Sequence, residues 1–254
     1  MENIAAFKPN INRSFLLGWV LANIVALPAL LVPYSLGMFL AMAVAIGADG
    51  ALVGAVVYII GFVILLLFGA LIGGWFGWLQ WLVLRKYISQ AGRWVAASSI
   101  GLAIGTPLSW LAYAMLLYSP IVARRDGVYF SFWYQYITFG VLLGLSIGVA
   151  QWFILKRQVP HAKLWIFALP VLFTLGMAVA NLGTVSRTYV LSIHRLIQII
   201  TNQSPEVGLS DMQLFLFFGI VPKLTALVTT SVLSGVFLNW LLQSSKQRDG
   251  QNGS

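Results

Sequence analysis

Long apolar runs, parted by short polar turns, set the pattern of this chain. Residues 62–84 and 133–155 hold no charged side chain, and residues 220–242 hold only Lys223. The apolar positions do not alternate with polar ones, so the pattern is not that of a barrel strand. Each run allows a helix of about 34 Å at 1.5 Å per residue, enough to span a hydrocarbon core of about 30 Å. The prediction is an all-α integral membrane protein.

The runs are also related to one another. "GALIGGWFGWLQWLVLR" (69–85) returns downstream as "GVLLGLSIGVAQWFILK" (140–156). Gly69, Gly73 and Gly77 match Gly140, Gly144 and Gly148, and Gln80-Trp81 matches Gln151-Trp152. Trp94 and Trp165 follow their glutamines at the same offset. A weaker copy, "FLNWLLQSSK" (237–246), sets Asn239-Trp240 in the Gln-Trp place, and "LLGWVLAN" (16–23) sets Trp19 in the place of Trp94 and Trp165. The repeating unit is a Trp-led helix, an outer connection and a helix ending in Gln/Asn-Trp. Units at 13–86, 93–157 and 164–246 predict six transmembrane helices, as three parallel helical hairpins in a single domain over residues 1–245. Residues 246–254 are expected to form a flexible tail. Unit one has an apolar surplus at 36–61, broken at Asp49-Gly50. It is read as helix extensions or an outer hairpin, with Pro28 and Pro33 kinking the first helix.

The pattern Gly-x3-Gly-x2-Gln-Trp-x2-Leu-(Arg/Lys), then a basic turn and a Trp-led helix, resembles a group of uncharacterised multi-pass membrane proteins of bacteria, notably cyanobacteria. The resemblance is clearest over 69–105 and 140–176. It fails in the third unit, where Val228, Val232 and Val236 stand at the glycine positions. It implies a fold and no activity.

Composition agrees with the pattern. The chain has 254 residues, of which 60% are hydrophobic and 8% charged, where soluble domains carry about 25% charge. Its net charge is +9, and the basic residues sit in short turns, not on a basic domain, so no nucleic-acid partner is expected. Ten of the fifteen Lys and Arg flank one side: Lys8, Arg13, Arg85, Lys86, Arg93, Lys156, Arg157, Lys163, Lys246 and Arg248. The positive-inside rule puts that side, with both termini, in the cytoplasm. The expected location is a bacterial inner or thylakoid membrane, with the lipid bilayer and another membrane protein or complex as partners. The N-terminus lacks a signal-peptide layout. No cysteine is present, which excludes thiol catalysis and cysteine-ligated metals.

The candidate residues are few. The glycine ladders predict close helix packing, the main source of helix association in lipid. Gln80, Gln151 and Asn239 are expected to lock each hairpin to its neighbour, with interfacial solvation and then a ligand site as the alternatives. Seven tryptophans (Trp19, Trp78, Trp81, Trp94, Trp152, Trp165 and Trp240) are expected in an interfacial belt. Lys223 is the one charge in an apolar run, and its register near the outer end lets it snorkel. His194 lies in an amphipathic stretch at 186–203, and His161 in a turn; neither suggests a metal site. No nucleotide-binding loop, metalloprotease motif or nucleophile elbow occurs, so no cofactor and no enzymatic activity is expected. The leading expectation is an accessory or assembly subunit, or a binder of a lipophilic molecule. The alternative is a small-solute channel or transporter with a pathway between the three hairpins.

Overall fold

A computed structural model describes residues 12–26, 51–117, 128–180 and 221–251. They form six helices: α1 (Arg13–Ala26), α2 (Ala51–Leu84), α3 (Gly92–Leu117), α4 (Val128–Leu155), α5 (Lys163–Ala180) and α6 (Val221–Gln251). Among the described residues, α2 to α6 each hold a stretch long and apolar enough to cross a membrane. Large apolar side chains such as Leu71, Met115, Phe167 and Val171 stand about two-thirds exposed on the outside of the bundle. In water that surface would be a liability; against lipid it is the matching solvent.

Two short turns join α2 to α3 and α4 to α5. They are built alike, and their matched apolar residues are all buried: Leu84 and Leu155, Ile88 and Val159, Ala91 and Ala162, Trp94 and Trp165. The Ser89 N–H donates to Gln158 Oε1 at 3.2 Å, tying one turn to the other. At the same end Asn12 caps α1, its Oδ1 accepting from the Phe15 N–H at 3.2 Å and the Ser14 hydroxyl at 2.7 Å. This is called the turn end below.

Glycine sets how closely the middle helices meet. A Cβ added at Gly73 on α2 would fall 2.7 Å from Ser99 Cα on α3. One at Gly101 on α3 would fall 2.8 Å from Ile147 Cα on α4, and one at Gly144 on α4 only 2.5 Å from Pro170 Cα on α5. Backbone lies against backbone at all three seams, so no side chain fits between them.

Several expectations need correction. Trp19, Trp94 and Trp165 are no interfacial belt: they are 0–1% exposed and lie at the centre of the largest core cluster. Their indoles are taken from the interface because each finds a buried acceptor on a neighbouring helix. Among the described tryptophans, Trp78 of the expected belt is exposed, as is Trp75 beside it. The helix α6 continues to Gln251, through residues 246–251 where a tail was expected. Residues 51–61 extend α2 as a helix, in line with the helix-extension reading of 36–61. Residues 36–50, Pro28, Pro33, the 186–203 stretch and His194 lie outside the described residues.

Candidate functional site

The buried polar side chains of the turn end form two matching clasps. The Trp94 indole N–H on α3 donates to Gln80 Oε1 on α2 at 2.7 Å. Gln80 Nε2 in turn donates to Asn23 Oδ1 on α1 at 3.0 Å, and Asn23 Nδ2 donates to the Trp19 carbonyl at 2.7 Å. The second clasp repeats this two helices on. The Trp165 indole on α5 donates to Gln151 Oε1 on α4 at 2.9 Å, and Gln151 Nε2 donates to Ser98 Oγ on α3 at 2.9 Å. Each glutamine thus links three helices, and both ends of its amide are satisfied. Exposures of 3% for Gln80 and 1% for Gln151 leave no water to do the same work.

Asn239 stands where the third glutamine would, and it does not form a clasp. Two substitutions explain this. The position four residues after the leading tryptophan holds Asn23 or Ser98 in the other units but Leu169 here, which cannot accept a hydrogen bond. The leading tryptophan of α1, Trp19, donates to Ser234 Oγ at 3.1 Å instead. The glycine register differs in the same sense. Gly148, three residues before Gln151, faces α5, whereas Gly235, four residues before Asn239, faces α1, where an added Cβ would fall 2.8 Å from Trp19 Cδ1. One residue is a rotation of about 100° on a helix. Valines at the ladder positions would hold α1 away, so α6 turns to offer Gly235 and Ser234 to Trp19. Val236 and Asn239 are turned towards α5.

The seam between α5 and α6 consequently opens. Away from the turn end it is closed: Thr230 packs at Gly176, and its hydroxyl lies 3.5 Å from the Leu172 carbonyl. Towards the turn end the helices part around an open groove of about 730 Å³, lined by residues that include Phe167, Leu172, Val236, Phe237, Asn239 and Trp240. Leu172 holds the register that Gly101 holds on α3, so a leucine side chain stands where the α3–α4 seam has none. Among the described lining residues Asn239 alone carries an amide, and the rest are apolar or aromatic.

No family model, curated protein or solved structure matches this chain. The site must be read from its own chemistry. Lys223 is exposed in the first turn of α6, far along the helix from the groove. His161 is exposed in the second turn, where it adopts φ 59°. No group of three metal-ligating side chains occurs among the described residues. Asn23, Ser98 and Ser234 were missed as clasp partners by the sequence reading. A signal for the first two was present: a polar residue four positions after a Trp, which brings both to one helix face.

Proposed function

We propose that this chain is a non-enzymatic membrane protein that binds a lipophilic molecule, in the manner of an accessory subunit or carrier. Three hairpins, α1–α2, α3–α4 and α5–α6, surround a core of indoles, with the turn end and both termini in the cytoplasm. The basic residues of the two turns, Arg85, Lys86, Arg93, Lys156, Arg157 and Lys163, support that orientation. The observation that carries the binding reading is the α5–α6 groove. Its size, about 730 Å³, lies within the range of small-molecule sites, and its lining is apolar with one convergent amide. An axial pathway for small solutes is less well supported, because Trp19, Trp94 and Trp165 fill the space where α1, α3 and α5 meet.

Gentle purification from native membranes, with mass spectrometry of an organic extract, tests the reading. One lipophilic species retained in stoichiometric amount through detergent washing is the expected result. Bulk phospholipid alone, in membrane proportions, would overturn it. The orientation has its own test, made clean by the absence of cysteine. A Ser89→Cys variant should react with an impermeant maleimide only from the cytoplasmic face; labelling from the other face alone would reverse the topology.

A further inference from the structure

The α5–α6 groove holds an unpaired amide. Asn239 is 5% exposed, and the surface it keeps borders the groove. It makes no side-chain hydrogen bond among the described residues, while Gln80 and Gln151 at the matching register have both amide ends paired. Among the described residues the fully buried polar side-chain atoms without a partner are Trp152 Nε1 and Thr174 Oγ1; the Asn239 amide differs from them in keeping access to the groove, where a ligand oxygen can pair it. The side chain borders the groove together with Phe167, Phe237 and Trp240. Phe237 and Trp240 lie 5.5 Å apart with their ring planes 35° from parallel. No charged residue lines the groove among the described residues.

From these observations we infer that the groove takes an uncharged lipid whose ring carries a hydroxyl or carbonyl, with that oxygen on the Asn239 amide and its hydrocarbon tail along Val171, Leu172 and Leu233. The inference rests on the binder reading above and names its ligand class. The amide, with one donor and one acceptor end, recognises the oxygen. Aromatic walls favour a ring over a flexible chain at the same depth. A charged head group would have no counter-charge among the lining residues and would lose its hydration. The alternative occupant is an ordinary phospholipid acyl chain, which needs the apolar walls and ignores Asn239.

A matched pair of probes separates these. 4-Decylphenol and decylbenzene differ by one hydroxyl. Their binding is measured to the wild-type protein, to Asn239→Leu and to Ala168→Trp, which fills the groove, all in phosphatidylcholine nanodiscs with empty nanodiscs as the baseline. The expected result is that wild type prefers the phenol by about tenfold, the value of one net hydrogen bond. Asn239→Leu should abolish that preference while still binding decylbenzene, and Ala168→Trp should lose both. Equal binding of the two probes to wild type, removed by Ala168→Trp, overturns the ligand class and leaves the groove as a site for hydrocarbon. A phenol preference that survives Asn239→Leu overturns the role of the amide. No binding above the empty nanodisc overturns this inference, while a stoichiometric lipid of another chemistry in the native extract would still uphold the binder reading.

Discussion

The α4–α5 and α5–α6 seams share a helix and differ in almost everything that joins helices in a membrane. At α4–α5, Gly140 and Gly144 let the α5 backbone approach until an added Cβ would meet it at 2.5 Å, and Gln151 takes the Trp165 indole. At α5–α6 the ladder register holds Val228, Val232 and Val236, Leu172 replaces a glycine, and Asn239 has lost its partners. The first seam is shut along its length; the second is shut only at Gly176 and Thr230 and open towards the turn end. Lipid tails are as apolar as leucine, so apolar area alone gives no drive to close such a seam. Close approach and amide pairing decide the matter. Where both are missing, a helix pair stays apart by default.

The largest effect should come from filling the closed seam. Gly144→Val places a branched side chain against Pro170 Cα, and both sides of the contact are helix backbone. Overpacking of this kind costs about 3 kcal/mol. Unfolding titrations in mixed micelles should show a loss of that size, or no folded protein at all. The register-matched change in the open seam, Val232→Gly, should lose only about 1 kcal/mol, the backbone cost of a helical glycine. Similar losses for the two would mean that the seams are held by the same means, and the contrast would fail.

Breaking the clasp ranks second. Gln151→Leu leaves the Trp165 indole N–H and the Ser98 hydroxyl buried and unpaired. The expected loss is about 1–3 kcal/mol, at the lower end because an unfolded helix in a membrane also finds partners. A cycle with Ser98→Ala isolates the pair: the two losses should add to more than the double variant shows. Strict additivity would mean that the 2.9 Å contact carries no energy.

Much of this is legible in the sequence alone. Apolar run length and the matched Gly, Gln and Trp positions pointed to six helices and to glycine faces. The fate of the tryptophans was not legible. A Trp near a helix end is compatible both with an interfacial belt and with a buried indole, and only the position of an acceptor on another helix separates them. Trp78 and Trp94 illustrate this: both flank the same turn, yet one is 41% exposed and the other fully buried. The groove was hidden for a related reason. The valines and Leu169 could be read as a decayed copy of the motif, but the rotation of α6 that turns Asn239 away from Trp19 follows from packing against α1. A repeat alignment assumes equal rotation for matched positions and so misses it.

Asn239→Leu should have the smallest effect on stability, and its sign is informative. In the closed seams the same change removes a satisfied amide and must destabilise. At Asn239 it removes an amide without a partner and adds apolar surface beside Phe237 and Trp240. In detergent, with no ligand present, stability should therefore hold level or rise by up to about 1 kcal/mol. A loss comparable to that of Gln151→Leu would show that Asn239 is paired in the folded protein and that the third clasp exists after all. A rise sharpens the contrast: the third unit keeps a residue that harms its own packing, which is the mark of a position held for something other than the fold.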